Sequence, residues 1–204
     1  MTLQSERHVS TQRPGGMPVH RYRPFPPIDL PDRTWPSKQI TEAPRWLSTD
    51  LRDGNQALID PMSPARKMTM FDLLVRMGYK EIEVGFPAAS ETDFSFVRQL
   101  IERDLVPEDV TISVLTQARE DLIERSVQSL VGVHHANIHL YNALAPLFRR
   151  VVFRAGKDEI RDIAVRGTEL VMKHCESWLD KTVIGYEYSP EIFTGTELPF
   201  SVEV

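Results

Sequence analysis

An arginine and an aspartate stand side by side, as Arg52 and Asp53, directly after a β-prone run of the sequence. A carboxylate can hold a hard divalent cation, and a guanidinium can neutralise charge that develops on a substrate oxygen. The two residues could therefore stabilise an oxyanion together with a metal. An Asp-Gly turn flanked by a surface ion pair would contain the same residues, and the local sequence alone favours that turn.

Glu83 lies between Ile82 and Val84 in a second β-prone run. A buried carboxylate without a partner is costly, so an inward-facing Glu83 needs a cation, and Arg52 is the natural candidate. Alternation with Glu81 leaves the opposite orientation open, in which Glu83 points outward to solvent or to helix dipoles.

Two later β-prone runs also end in polar residues. His139 and Tyr141 lie on one face of the fourth run, and Glu187 and Ser189 occur in the fifth. A lone histidine or glutamate at a strand end is more often structural than catalytic. Because polar groups follow four strands, and the carboxyl ends of parallel strands meet at one edge, the pattern indicates an active-site rim.

Five β-prone runs, starting near residues 45, 80, 110, 134 and 182, alternate with segments of helical period. The first run is expected to end at residue 50 and the fifth at residue 188. Ser63 and Pro64 predict the start of the first helix, and Gly78 predicts its end. The second helix opens after Ser90 and is expected to bury Phe94 on its apolar face. A long helix spans 157–178, and another starts near 194–197. This alternation predicts parallel strands covered by helices, in a doubly wound sheet or a (β/α)₈ barrel. No Gly-x-Gly-x-x-Gly follows any strand, which weakens the dinucleotide-binding form of the doubly wound sheet.

Residues 1–44 differ in composition, since they hold eight of the 15 prolines. This stretch should be extended or irregular, and Tyr22, Phe25 and Trp35 suggest an arm that lies against another surface. A disordered extension is an equal alternative for the first twenty residues. The expected fold is α/β: a Pro-rich N-terminal arm over 1–44, then a (β/α)₈ TIM barrel over 45–204 with only about its first five strands.

Composition excludes several classes of protein. The chain of 204 residues carries 24 basic and 29 acidic side chains, a net charge of −5, which argues against a nucleic-acid-binding protein. The single cysteine, Cys175, excludes an internal disulfide and fits a reducing cytosol. No apolar run approaches the roughly 20 residues that span a bilayer, and the N-terminus lacks a signal-peptide core. We therefore expect a cytoplasmic protein without nucleic-acid or membrane partners.

Four segments in this order resemble the 2-isopropylmalate synthases, the Claisen-condensing branch of the metal-dependent DRE-TIM metallolyases, within the HMG-CoA lyase-like TIM-barrel superfamily. They are Leu-Arg-Asp-Gly-Asn-Gln-Ala-Leu at 51–58, Glu-Ile-Glu-Val-Gly-Phe-Pro at 81–87, His-Leu-Tyr-Asn at 139–142 and Tyr-Glu-Tyr-Ser-Pro-Glu at 186–191. The resemblance extends from about residue 20 to the end of the chain, and the arm is similar to that of the long-armed form.

The resemblance implies an acyltransferase that condenses acetyl-CoA with 3-methyl-2-oxobutanoate to give 2-isopropylmalate and CoA, the first committed step of leucine biosynthesis. Asp53 would be a ligand of a divalent metal, Mg²⁺ before Mn²⁺ or Zn²⁺. Arg52 would stabilise the developing oxyanion, and Glu83 would anchor Arg52 or the substrate. His139, Tyr141 and Glu187 would line the 2-oxo-acid pocket. A homodimer with acetyl-CoA as co-substrate is also implied.

The chain departs from the family pattern in one important respect. The family's metal-binding His-x-His motif does not occur in it, and no histidine follows His174. We therefore expect an N-terminal fragment that is inactive alone. A homocitrate or citramalate synthase fragment would share Arg52, Asp53 and Glu83. A non-catalytic half-barrel that binds partners through its open edge is the alternative from another functional class.

Overall fold

Five parallel strands form one sheet in the computed structural model, which describes residues 18–23, 25–26, 28–32 and 44–204. The strands follow one another in the order of the sequence, and every neighbouring pair is parallel. A doubly wound sheet reverses its strand order at a switch point, whereas these strands run consecutively as in half of a barrel. They are β1 (Leu47–Ser48), β2 (Glu81–Gly85), β3 (Thr111–Gln117), β4 (His135–Ala143) and β5 (Val183–Glu191).

Helices connect and cover the strands, as the alternation predicts. They are α1 (Pro64–Met77), α2 (Glu91–Glu102), α3 (Glu120–Ser129), α4 (Pro146–Phe148), α5 (Lys157–Trp178) and α6 (Leu198–Glu203). Ser63 caps α1 by accepting the backbone N–H of Arg66 at 3.4 Å, and Gly78 ends it at a φ of 95°. The predicted bounds of α1 and α5 are confirmed.

Several boundaries differ from the sequence-based expectation. Strand β1 has two residues, because the chain turns into a wide helical loop at 50–54 instead of continuing as a strand to residue 50. Strand β5 runs to Glu191, three residues beyond its predicted end, and pairs with β4 along its whole length. The helix expected near 194–197 begins at Leu198, after a short turn at Phe193–Gly195.

The main core lies between the sheet and the helices. In α2 the fully buried aromatic is Phe96, whereas the expected Phe94 is half-buried. The shared apolar face of the strands and helices also includes Leu51, Phe71, Leu74, Ile82, Val84, Leu100, Ile112, Val114, Ile123, Val127, Ile138 and Leu140. Burial of apolar area on this scale is the main force that holds the strand ends in register.

Helix α5 approaches the sheet very closely at Gly167. A Cβ atom at this position would lie 2.9 Å from the Cβ of Ala118 and 3.0 Å from Cδ2 of Leu140. Such distances are too short for a side chain, so glycine lets α5 pack directly on β4 and on the residue that follows β3.

The N-terminal arm is described only in part. Tyr22 and Phe25 are exposed, so within the described residues these aromatics do not pack on this chain. The expectation for Trp35 lies outside the described residues, and the boundary at residue 44 stays a prediction. Within the described ranges, no helix is long and apolar enough to cross a membrane.

Candidate active site

The loop after β1 gives Arg52 and Asp53 very different exposures to solvent. The carbonyl of Thr49 accepts the backbone N–H groups of Arg52, Asp53 and Gly54 at 3.2, 2.9 and 3.2 Å. This wide turn directs Arg52 toward the sheet, with 17% of its side chain exposed, and leaves Asp53 68% exposed. Such irregular helical turns are frequent at functional sites.

Glu83 is fully buried and faces inward, so the alternative in which it points outward is wrong. Its Oε2 accepts Nε of Arg52 at 2.7 Å, and its Oε1 lies 2.7 Å from Nδ1 of His139. Arg52 also donates from Nη1 to Oδ1 of Asp53 at 2.9 Å. The structure thus brings Arg52, Glu83 and His139 together through one carboxylate, and two donors satisfy its buried charge.

The second nitrogen of His139 faces strand β5. Nε2 lies 2.6 Å from Oγ of Ser189 and 3.6 Å from Oε1 of Glu187. Glu187 also accepts Nδ2 of Asn137 through Oε2 at 3.3 Å. Glu83 accepts from Nδ1, because a carboxylate can only accept, and Ser189 contacts Nε2 on the other side of the ring, so the two contacts fix the orientation of the imidazole.

Tyr141 lies beside this network. Its ring meets the ring of Phe86 edge-on, at 6.3 Å between centroids and 82° between planes. Burial raises the pKa of the Tyr141 hydroxyl, the charge of Glu191 raises this pKa further, and the charge of Arg52 opposes both. The hydroxyl is therefore a protonated hydrogen-bond donor at neutral pH.

A cavity of about 580 Å³ opens beside Arg52. Its walls come from the loop after β1, the start of α1 and the connection from β2 to α2, and they include Asn55, Gln56, Lys67, Phe86 and Asp93. The cavity is of the size of a small-molecule site. Arg52 therefore lies between this cavity and the Glu83–His139 network.

The described residues do not provide a complete metal site. No group of three His, Cys, Asp or Glu side chains within them could hold a metal ion. The exposed carboxylate of Asp53 can contribute one oxygen, which suits a hard cation. The described residues thus supply one ligand for the expected metal, Asp53, and not a complete set of ligands.

The sequence-based interpretation named Ser189 at the rim without giving it a role, and it missed Asn137, Lys67 and Asp93. Ser189 and Asn137 contact His139 and Glu187, and Asn137 occupies the same strand face as His139 because they are two positions apart. Lys67 is buried although it is charged, and Asp93 is its partner. Spacings of four and three place Lys67 on the α1 face of Phe71 and Leu74, which was the available signal.

Known proteins resemble this chain along nearly all of its length. The HMGL-like family profile matches residues 43–204. The 2-isopropylmalate synthase of Thermobifida fusca (strain YX) is 68% identical over 197 residues, which are 96% of this chain and 35% of that relative. Those of Parafrankia sp. (strain EAN1pec) and Arthrobacter sp. (strain FB24) are 64% and 66% identical over 96% of this chain, and over 35% and 34% of their own lengths.

The chain therefore spans about a third of the length of the curated relatives it matches. The family match covers the strands, the helices and every predicted site residue. The parallel half-barrel of five strands agrees with that match. The chain belongs to the HMGL-like family of TIM-barrel proteins.

Proposed function

We propose that this chain is the part of a 2-isopropylmalate synthase that holds the first half of the barrel. The activity would be acyl transfer: acetyl-CoA condenses through its methyl carbon with the ketone of 3-methyl-2-oxobutanoate, and thioester hydrolysis gives 2-isopropylmalate and CoA. The observation that carries the proposal is the buried Glu83 carboxylate shared by Arg52 and His139, in a chain 68% identical to a protein of that name.

Arg52 would stabilise the oxyanion of this reaction. Its Nε and Nη1 are held by Glu83 and Asp53, so the guanidinium has a fixed orientation before any charge develops. A donor that needs no reorganisation stabilises the transition state more than one that must first move. Glu83 would act through Arg52 and His139, because its own carboxylate is fully buried.

His139, Tyr141 and Glu187 would bind the 2-oxo acid. The imidazole of His139 is oriented by Glu83 and Ser189, and the Tyr141 hydroxyl is protonated because burial raises its pKa. The Tyr141 hydroxyl and the Arg52 guanidinium offer hydrogen bonds at this edge of the sheet, and His139 and Glu187 would line the pocket beside them. A 2-oxo acid carries a ketone and a carboxylate, and both are acceptors for such donors.

Asp53 would be one ligand of a divalent cation, Mg²⁺ first and Mn²⁺ or Zn²⁺ as alternatives. Such an ion, when bound, polarises a carbonyl group. The remaining ligands would come from outside the described residues, because no group of three ligand side chains occurs among them. Homodimer formation, a cytoplasmic location and a role in leucine biosynthesis belong to the same proposal.

A segment exchange tests this function. The matching third of the Thermobifida fusca 2-isopropylmalate synthase is replaced by this chain, and acetyl-CoA-dependent thiol release is measured with 3-methyl-2-oxobutanoate, 2-oxoglutarate and pyruvate. We expect turnover with 3-methyl-2-oxobutanoate, loss of that turnover in Arg52→Ala, and retention in Arg76→Ala, whose guanidinium is on the exposed face of α1.

Other results would overturn the proposal. A preference for 2-oxoglutarate or pyruvate would favour the homocitrate or citramalate synthase alternative. A folded chimera without turnover, next to an active parent enzyme, would favour a half-barrel that only binds partners.

A further inference from the structure

Lys67 is a buried lysine in the first turn of α1, at one end of its apolar face. Its side chain is 1% exposed, and Nζ lies 5.4 Å from the centre of the Phe96 ring. Taking an ammonium out of water is expensive, and a helix position beside Phe71 and Leu74 would gain more from an apolar side chain. The residue therefore needs an explanation beyond the packing of α1.

Asp93 is the ionic partner of Lys67, and it also holds the chain that leaves β2. Its Oδ1 accepts Nζ of Lys67, and its Oδ2 accepts the backbone N–H of Phe86 at 3.0 Å. A Cβ atom on Gly85 would lie 3.1 Å from Oδ2, so the glycine lets the carboxylate reach the backbone. One carboxylate thus links α1, α2 and the end of β2.

The segment held by Asp93 follows an irregularity of the sheet. Glu83 pairs with Ser113 and Gly85 pairs with Val114, so β2 has one more residue than β3 at this point. A bulge of this kind changes the direction of a neighbouring side chain. Glu83 stands immediately before the extra residue, Val84, and Phe86, which Asp93 holds, follows two residues after it.

The same segment also supports the other side of the site. The ring of Phe86 contacts the ring of Tyr141, while Glu83 contacts Arg52 and His139. A displacement of Phe86 would therefore reach Tyr141 directly and Glu83 through the bulge. Both ends of the segment are thus connected to predicted substrate-binding residues.

We propose that Lys67 and Asp93 are positioning residues, which hold the bulge of β2 so that Glu83 faces Arg52 and His139 and Phe86 supports Tyr141. The pair acts through Phe86 and contributes no reacting atom. Its importance for catalysis rests on the proposed function, whereas its effect on the geometry of His139 and Tyr141 does not.

A second ion pair provides a matched control. Lys80 and Asp109 join the opposite ends of the same two strands, because they come just before β2 and β3. The Lys80 side chain is 12% exposed, so this pair is also partly buried. It lies at the other end of the strands from the bulge, Phe86 and the site, so its loss should affect stability only.

The experiment uses the 204-residue chain with ¹⁵N-labelled histidine and labelled tyrosine rings. NMR records the Nδ1 and Nε2 shifts of His139 and the ring signals of Tyr141 in Lys67→Met, Asp93→Asn, Lys67→Arg and Lys80→Met. We expect Lys67→Met and Asp93→Asn to shift both residues away from their wild-type signals. Lys67→Arg, which keeps the charge, should retain the wild-type signals of His139 and Tyr141, and Lys80→Met should leave them unchanged.

A folded Lys67→Met chain with wild-type His139 and Tyr141 signals would overturn the proposal. If Lys67→Met does not fold, Asp93→Asn decides by the same criterion, because it keeps the shape and an acceptor for Phe86. If neither folds while Lys80→Met does, the pair is a stability element and the proposal fails. None of these readouts needs turnover, so an inactive segment-exchange chimera would refute the proposed function and leave the positioning result standing.

Discussion

Glu83 and His139 meet across an intervening strand, with 2.7 Å between Oε1 and Nδ1 although β3 runs between β2 and β4. In a flat sheet, strands two places apart are separated by about 9.6 Å. Side chains of alternate strands come into contact when the sheet curves, as they do in the layers that fill a barrel. The contact therefore links the curvature of the sheet to the geometry of the site.

Glu83→Ala should strongly destabilise the chain. The change leaves the partly buried Arg52 and His139 without their shared carboxylate, and breaking such a buried pair costs about 3–5 kcal/mol. Urea unfolding of the variant and the wild type measures the loss. Glu81→Ala is the control on the same strand, and it should cost about 1 kcal/mol or less, because its ion pair with Arg45 is partly exposed. Equal losses for the two variants would contradict the assignment of Glu83 to a buried network.

Asp53→Asn should weaken the binding of divalent cations in the segment-exchange chimera and leave its fold unchanged. The carboxylate is 68% exposed, and its one hydrogen-bond partner within the described part of the chain is its neighbour Arg52. The free energy of unfolding should therefore change by about 0.5 kcal/mol or less. Calorimetric titration with Mg²⁺ measures the binding. Asp60→Asn, in the exposed loop before α1, is the control. Unchanged Mg²⁺ affinity in Asp53→Asn would exclude Asp53 as a ligand.

Local signals explain which parts of the fold could be predicted from sequence. Helix α1 has its cap at Ser63 and its stop at Gly78, and these act within one turn of the chain. The 22-residue length of α5 gives its apolar period enough repeats to define both ends. The wide loop after β1 has no comparable signal, because it depends on three N–H groups that share the carbonyl of Thr49.

Site residues could be predicted where they lie on one face of a single strand. His139 and Tyr141 follow from alternation along β4. Ser189 was placed at the rim, but its contact with His139 could not be predicted, because it depends on how far β5 pairs with β4. The burial of Lys67 depends on Asp93, which is 26 residues away, and no pattern within α1 shows that partner.

The stability of the chain should depend on Glu197 in acid. Hydrogen bonds from Arg149 hold the pKa of Glu197 at about 2, below its ordinary value of 4.5. A lowered pKa stabilises the folded chain above pH 4.5, and that contribution disappears as the pH falls from 4.5 to about 2. The Tm difference between the wild type and Glu197→Gln should therefore be constant at neutral pH and shrink through this window. Arg149→Met should remove the same pH dependence, whereas a constant difference down to pH 2 would contradict the role of this ion pair.

The thiol of Cys175 should be unreactive in the folded chain. Burial raises its pKa to about 11, and the side chain is 2% exposed, so neither the thiolate nor access is available at pH 8. A thiol-specific disulfide reagent should react slowly in buffer and rapidly in urea. Ser177→Cys places a second thiol on the exposed face of the same helix and should react at once. Fast reaction of the wild-type chain in buffer would show that α5 opens readily.

The close packing of α5 at Gly167 restricts which sequences the family can use. Gly167→Ala should destabilise the chain by about 1–3 kcal/mol, because its Cβ would lie 2.9 Å from that of Ala118. Ala118→Gly in the same chain should recover part of that loss, and thermal unfolding of the single and double variants measures the coupling. An unaltered loss in the double variant would assign the clash to Leu140 instead. Positions 118 and 167 should therefore vary together among relatives, with a larger residue at one allowed only when the other is small.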